Sequence, residues 1–112
     1  MAQSAVYQIE ESIDWEDLGA GIQRKIYGYN DQLMLVKVSF EKGAIGTLHK
    51  HFHTQISYVE SGVFELEIGD EKKILRKGDG YYVPPETLHR SICLEEGTLI
   101  DVFNPRRLDF GV

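Results

Sequence analysis

Several features that would define other classes of protein are missing from this chain. Its 112 residues include a single cysteine, Cys93, so no internal disulfide can form. Its apolar runs are a handful of residues long, whereas a membrane-spanning helix needs roughly 20. It also does not begin with the charged and apolar regions of a secretory signal peptide. From these absences we expect a cytoplasmic protein with no membrane partner.

Positive charge is also scarce. The chain has 12 Lys and Arg residues against 18 Asp and Glu residues, which gives a formal net charge of −6 at pH 7. The basic residues form no cluster, whereas binding to nucleic-acid phosphates requires a basic stripe. We therefore expect no nucleic-acid partner. An anionic small molecule would need local positive charge, from a metal ion or from a few arginines.

The chain is rich in apolar residues that alternate with period two, the pattern of a half-buried strand. In residues 32–40 the members of one face are Met34, Val36, Val38 and Phe40. Turns are predicted at residues 29–31, 41–43, 61–62, 69–71, 77–79, 84–86 and 95–97, each of which contains Gly, Asn, Asp or Pro. Roughly nine or ten short strands predict an all-β, antiparallel jelly roll in one domain, residues 1–112. Only residues 14–18 carry a hint of helix.

The four histidines lie in two short segments of the chain. His49 and His51 are two residues apart and would share one face of an extended strand, and Gln55 extends the same row. His89 comes from a distant strand and would close the site from across the barrel. Imidazole nitrogens and an amide oxygen are accepted by divalent first-row ions. We therefore predict one divalent metal ion (Ni, Zn, Fe or Mn) bound by His49, His51, Gln55 and His89.

A competing interpretation places these histidines on the solvated face of an edge strand, alternating with Lys50 and Phe52. His53 exceeds the number of ligands needed, so we expect it beside the site or on the surface. Cys93 has no evident base beside it and is expected to fill the barrel rather than to act as a nucleophile. Because protonated imidazole cannot bind a metal ion, metal affinity should fall as the pH drops below about 6.5.

Two spaced segments resemble the two motifs of the cupin superfamily. The first, residues 43–62, reads Gly43-x5-His49-x-His51-x3-Gln55-x6-Gly62, with Gln where most members have Glu. The second, residues 78–93, reads Gly78-x5-Pro84-x4-His89, with Glu86 in place of the usual Gly and Cys93 in place of the usual Asn. The resemblance implies the double-stranded β-helix of cupins, a jelly-roll barrel with a metal ion inside.

A narrower resemblance, to the KdgF family, extends over residues 15–30 and 101–110 and includes Gln55. Members of that family are single-domain cupins of pectin and alginate breakdown. They open the ring of 4,5-unsaturated uronates released by polysaccharide lyases and so give linear keto sugars. The resemblance implies a metal-dependent enzyme of isomerase-like or lyase-like activity with a small anionic sugar substrate.

The family's catalytic groups follow the spacing Asp-x-Phe-x-Pro-x-Arg, which here falls on Asp101, Phe103 and Arg107. Asp101 and Phe103 share a strand face, so Asp101 could act as general acid and base while Phe103 dries the pocket. Arg107 could clamp the substrate carboxylate with its planar donors. Arg24 alternates with apolar neighbours and is a second substrate-binding candidate, or else a surface arginine on an edge strand.

Two other functions stay open at this point. Three imidazoles and an amide would leave a divalent ion its full charge, which favours a Lewis-acid role over oxygen activation. Even so, the protein could be an iron-dependent dioxygenase of a small organic acid. It could also be a non-catalytic protein that uses the metal to bind a sugar or another metabolite.

The oligomeric state is predicted from the N-terminal segment. Cupins of this size commonly form homodimers through their N-terminal strands and apolar sheet faces. Residues 1–30 are the candidate contact region, and Val6, Ile9, Ile13 and Trp15 could supply an apolar surface. We therefore expect a homodimer.

Overall fold

Eight β-strands account for most of the chain. The computed structural model describes residues 2–112. The strands are β1 Glu16–Gly19, β2 Ile22–Tyr29, β3 Met34–Phe40, β4 Ile45–His49, β5 Thr54–Ile68, β6 Glu71–Arg76, β7 Gly80–Val83 and β8 His89–Asn104. In the described residues the helical elements are two 3-10 turns, Glu10–Ser12 and Leu108–Phe110. No helix in this range is long and apolar enough to cross a bilayer.

All strand pairs are antiparallel, and the two long strands organise the sheet. β5 and β8 pair with each other along their length. The second half of β8 also pairs with β3 and its first half with β4, while the first half of β5 pairs with β7 and its second half with β6. Each long strand therefore runs through both layers of the barrel. The predicted all-β antiparallel jelly roll, the double-stranded β-helix, is confirmed.

Two of the turns predicted from the sequence are instead places where the long strands β5 and β8 bend. Residues 61–62 and 95–97 lie within β5 and β8, at register shifts between the two strands. Gly62 has a φ of 83°, which glycine adopts without steric cost. A Cβ atom on Gly62 would lie 2.5 Å from the Cα atom of Gly97, so the backbones touch here. The turn predictions were wrong at both places, because the glycines form β-bulges within continuous strands.

Two local predictions differ from the structure near the N-terminus and before β3. The hint of helix at residues 14–18 was wrong, because Glu16 and Asp17 pair with β2 in an exposed hairpin. The strand expected from residue 32 begins at Met34 instead. The Asn30 side chain accepts hydrogen bonds from the backbone N–H groups of residues 32 and 33, which holds these residues in a turn.

Most of the buried apolar residues form two clusters. The larger group contains Phe40, Ala44, Val59, Phe64, Leu66, Cys93 and Leu99. The smaller group contains Met34, Val36 and Phe103. Cys93 is 1% exposed and burial raises its pKa, as expected of a residue that fills the barrel. Because Phe103 belongs to the smaller group, that end of the core is continuous with the site described next.

Candidate metal centre and adjoining cavity

Three histidines from two distant segments of the chain meet at one site. His49 is the last residue of β4, His51 lies in the connection to β5, and His89 begins β8. His49 and His89 are direct partners in the β4–β8 ladder. One ring nitrogen from each of the three residues lies within 4.8 Å of the other two. This spacing is suited to a single metal ion.

The backbone determines which ring nitrogen of each histidine keeps the proton. Each Nδ1 faces a backbone carbonyl two residues away: Thr47 for His49 (2.7 Å), His53 for His51 (3.1 Å) and Thr87 for His89 (2.9 Å). A carbonyl oxygen only accepts hydrogen bonds, so Nδ1 is the protonated nitrogen in the neutral ring. The lone pair is then on Nε2 in all three residues. Ligating histidines in proteins are commonly held in this way.

Gln55 on β5 adds an oxygen atom to the three nitrogens. Its Oε1 atom lies 3.0 Å from Nε2 of His51. When Nδ1 of His51 carries the proton, both atoms are acceptors, and a cation between them would turn their repulsion into attraction. Three imidazole nitrogens and one amide oxygen are a donor set that first-row divalent ions accept. The residues present therefore fit the predicted ion.

The backbone conformation that brings these side chains together differs from the predicted one. β4 ends at His49, so His49 and His51 do not share an extended strand. Residues 50–53 instead form an irregular connection that bends at residues 52 and 53, and the His51 carbonyl accepts a 2.8 Å hydrogen bond from the Glu86 backbone N–H. His51 and His89 are 8% and 5% exposed, which contradicts the interpretation of a solvated edge strand. Only His49 is exposed, at the outer edge of the cluster.

His53 lies beside the cluster and is 6% exposed. Its ring stacks on Phe52 with the centroids 4.1 Å apart, and its Nδ1 atom has no hydrogen-bond partner within residues 2–112. Its backbone carbonyl orients His51, so residue 53 contributes to the site through its main chain. Burial lowers the pKa of His53, and it lowers that of His89 to about 4, because a charged imidazole loses its hydration there.

Asp101 is a buried carboxyl group close to the cluster. It lies on β8, opposite Ser57 of β5, and is 9% exposed. The Ser57 hydroxyl donates a 2.6 Å hydrogen bond to its Oδ1 atom. Burial raises the pKa of Asp101 to about 6, although the hydrogen bond from Ser57 and the charge of Arg107 act in the opposite direction. A carboxyl group that titrates near neutral pH can both take up and release a proton.

A cavity of about 220 Å³ joins the histidine cluster to Asp101. This volume is below the usual range for drug-sized ligands and suits a small metabolite. The sequence-predicted site residues on its wall are Arg24, His49, Gln55, His89, Asp101, Phe103 and Arg107. Of the predicted set, only His51 is absent from the wall. The structure thus brings the expected residues together around one space.

Arg24, Arg90 and Arg107 line this cavity, and Arg24 and Arg107 are each held by a carboxylate. Arg24 forms two 3.0 Å hydrogen bonds with Glu16, and Arg107 forms bonds of 3.0 and 2.7 Å with Asp109. These bonds use Nε and Nη2 of each guanidinium group, whereas Nη1 takes no part in them. Both groups stack on the ring of Phe110, at 3.8 and 4.6 Å from its centroid. The arrangement therefore presents two oriented cations to an anionic ligand.

Sequence reasoning did not identify several residues of this region. Phe110 and Tyr81 line the cavity, and Ser57 contacts both Gln55 and Asp101. Ser57 could have been found, because it follows Gln55 by two residues and so shares its strand face. The position of Phe110 depends on how the tail folds back after β8, for which the sequence has no local signal.

Comparisons with known proteins give consistent matches. The profile described as "Cupin domain" matches residues 36–103. The chain is 52% identical over 106 residues to the "Pectin degradation protein KdgF" of Dickeya dadantii (strain 3937), covering 93% of this chain and 96% of that protein. Two solved structures are also similar. An RmlC-like cupin from Shewanella frigidimarina NCIMB 400 has a TM-score of 0.96 at 43% identity, with 98% and 99% of the two chains covered. KdgF from Halomonas sp. has a TM-score of 0.91 at 43% identity, with 96% and 99% covered.

Proposed function

We propose, from the premise that this chain belongs to the cupin family and within it to the KdgF family, that it opens the ring of 4,5-unsaturated uronates. These sugars would come from pectin or alginate breakdown, and the products would be linear keto sugars. The observation that carries the proposal is the shared cavity. Its wall combines histidines of the candidate metal cluster, a buried carboxyl group and three arginines.

The ligand set proposed for the ion is His49, His51, Gln55 and His89, and the candidates for the ion are Ni, Zn, Fe and Mn. When bound, the ion supplies a positive centre that polarises oxygen atoms of the substrate. All four side chains are neutral when each imidazole carries one ring proton. The ligands themselves therefore add no negative charge that would repel an anionic substrate.

The substrate carboxylate is assigned to Arg24 and Arg107, two of the three arginines on the cavity wall. The Nη1 atoms of Arg24 and Arg107 take no part in the ion pairs with Glu16 and Asp109, so they can donate to a carboxylate within the cavity. The aromatic ring of Phe103 lies below Arg107, whose guanidinium carbon is 5.1 Å from the ring centroid. Phe103 is 2% exposed and excludes water from the cavity floor. This strengthens the charge interactions above it.

Asp101 is assigned the proton transfers. Ring opening removes the proton of the anomeric hydroxyl while the bond between the anomeric carbon and the ring oxygen breaks. The enol left at that oxygen becomes a ketone when a proton is added to the adjacent carbon. The reaction is an isomerisation, so protons are neither gained nor lost overall. In the described residues Asp101 is the only buried carboxyl group, and it could take the proton and return it.

The proposal is tested by adding unsaturated galacturonate to the metal-loaded protein and following the absorbance of the conjugated enol ether. Loss of the absorbance with formation of an open keto sugar is the expected result. Binding of the sugar with no loss of absorbance would instead indicate a non-catalytic binding protein. Oxygen consumption by the iron-loaded protein would indicate a dioxygenase. The same assay with unsaturated mannuronate separates pectin-derived from alginate-derived substrates.

Replacing Arg107 with alanine should raise KM by about 10- to 100-fold, because a charged hydrogen bond to the substrate contributes about 1.5–3 kcal/mol. Arg106→Ala is the matched control. Arg106 pairs with Asp31 at 3.3 Å and does not line the cavity, so KM should stay near that of the unmodified protein. Steady-state kinetics of the two variants make the comparison. Equal KM values for both variants would contradict the assigned role of Arg107.

A homodimer is also proposed. Val6 and Ile9 are 86% and 58% exposed, and they lie in the N-terminal arm predicted to make the contact. Ile56 and Tyr82, which are direct partners on β5 and β7, expose a further apolar surface on the outer sheet. We expect light scattering to give twice the chain mass of 12.8 kDa, and a monomeric mass would contradict the proposal. The single-domain organisation and the cytoplasmic location remain predictions.

A further inference from the structure

We propose that Ser57 is a positioning residue that decides which atom of Gln55 is offered to the metal ion. The inference rests on the proposed metal site but not on the proposed ring-opening reaction. Ser57 does not itself reach the histidine cluster. It acts through its hydroxyl group, which lies between the amide of Gln55 and the carboxyl group of Asp101.

The hydrogen bonds form a continuous chain through the barrel. Nε2 of Gln55 donates to Oγ of Ser57 at 2.9 Å, and Oγ donates to Oδ1 of Asp101 at 2.6 Å. At the other end of the amide, Oε1 of Gln55 lies 3.0 Å from Nε2 of His51. Ser57 is 2% exposed, so bulk water has little access to its hydroxyl group to replace a missing partner.

The number of hydrogens available fixes the orientation of the amide. A serine hydroxyl has one hydrogen to donate, and here the carboxylate of Asp101 accepts it. Towards Gln55 the Oγ atom can then act only as an acceptor. It must face the NH2 group of the amide, which leaves Oε1 directed at His51. If the amide were reversed, Oε1 would face the lone pairs of Ser57, and an NH2 group without an available lone pair would face the ion.

The single hydrogen of the Ser57 hydroxyl also explains why glutamine suits position 55 better than the glutamate of most cupins. A carboxylate at residue 55 would present an acceptor oxygen to Ser57, as Asp101 does, and one hydroxyl hydrogen cannot satisfy both. Two carboxylates would also lie close together in a buried space, where like charges repel strongly. Ser57 is therefore matched to an amide on one side and a carboxylate on the other.

The decisive experiment is a double-mutant cycle read out as metal affinity, measured by competition with a chelator such as EDTA for added Zn²⁺. In the unmodified background Ser57→Ala should weaken Zn²⁺ binding by about 10- to 100-fold, the usual effect of losing a partner that orients a ligand. In the Gln55→Glu background the same substitution should change affinity less than about threefold, because a carboxylate offers an oxygen in either orientation.

A merely structural role for Ser57 would weaken binding equally in both backgrounds, and that result would overturn the inference. Ser91→Ala is the control: it removes a different buried serine hydroxyl, which forms no hydrogen bond with Gln55 or Asp101, and should leave the affinity for Zn²⁺ unchanged. An unmodified protein that binds no divalent ion would overturn the proposed function together with this inference.

A second pair of variants tests the inference even if Gln55→Glu does not fold. Threonine and valine have nearly the same shape, but only threonine has a hydroxyl group. Ser57→Thr should bind Zn²⁺ within about threefold of the unmodified protein, whereas Ser57→Val should show the same loss as Ser57→Ala. Equal affinities for the threonine and valine variants would contradict the assigned role of the hydroxyl.

Discussion

Asp101→Asn should lower kcat by about 100- to 10,000-fold, the usual contribution of a general acid–base group, while metal content stays unchanged. The amide has nearly the same shape as the carboxyl group and its oxygen can still accept the hydrogen bond from Ser57, but it cannot carry a proton between substrate atoms. Asp14→Asn, at an exposed position outside the cavity, should retain full activity. An Asp101→Asn variant with normal kcat would exclude Asp101 from the proton transfers.

The same substitution should stabilise the metal-free protein at alkaline pH. Because burial raises the pKa of Asp101 from 3.8 to about 6, its protonated form is favoured in the folded state. The stabilisation from this group is fully present below about pH 4 and is lost as the pH rises through 6. Two pKa units correspond to about 3 kcal/mol. Asparagine avoids that loss, so the free energy of unfolding at pH 8 should rise by about 1–3 kcal/mol.

Urea unfolding of EDTA-treated protein at pH 8 and pH 4 measures this effect. The stabilisation by Asp101→Asn should be present at pH 8 and nearly absent at pH 4, where both side chains are neutral. An equal change at the two pH values would show that the carboxylate charge is not its cause. If Asp101→Asn both stabilises the protein at pH 8 and abolishes activity, the Asp101 carboxyl group is present for catalysis at the expense of stability.

His51→Ala should reduce metal affinity by more than about 100-fold. Losing a residue that only orients a ligand costs up to about 100-fold, and this substitution removes a ligand itself. Activity on the unsaturated uronate should be lost with the metal. His51 is 8% exposed and no other side chain occupies its place between Gln55 and His89. Metal content after dialysis, measured by elemental analysis, gives the stoichiometry directly.

His53→Ala is the matched control for this prediction. It removes a buried imidazole two residues away but retains the backbone carbonyl that orients His51. The variant should lose some stability, since it loses the stacking on Phe52, yet should keep one ion per chain. Loss of metal from His53→Ala with retention by His51→Ala would reverse the assignment of the two histidines.

The grouping of His49, His51, Gln55 and His89 could be predicted from the sequence because it depends on residue type and on two spaced motifs. The local conformation could not. His49 and His51 alternate as residues of one strand would, but β4 ends at His49 and the connection after it bends at residues 52 and 53, beside a hydrogen bond from the Glu86 backbone N–H to the His51 carbonyl. A pattern of period two does not distinguish a strand from a bent connection whose side chains point to the same site.

The bulges at Gly62 and Gly97 illustrate a second limit. Glycine beside polar residues is typical of turns and of bulges alike, and only the close approach of the two backbones separates them. That approach depends on β5 pairing with β8, residues far apart in sequence. The raised pKa of Asp101 and the contact of Phe110 with both arginines depend on tertiary packing in the same way.

A crystal structure of the metal-replete protein, with anomalous scattering recorded at the absorption edge of the loaded ion, tests the metal site directly. One peak per chain is expected, about 2.0–2.2 Å from Nε2 of His49, His51 and His89 and from Oε1 of Gln55. Electron density that shows these four side chains turned away from each other, with the anomalous peak elsewhere or absent, would contradict the proposed centre and the chemistry that depends on it.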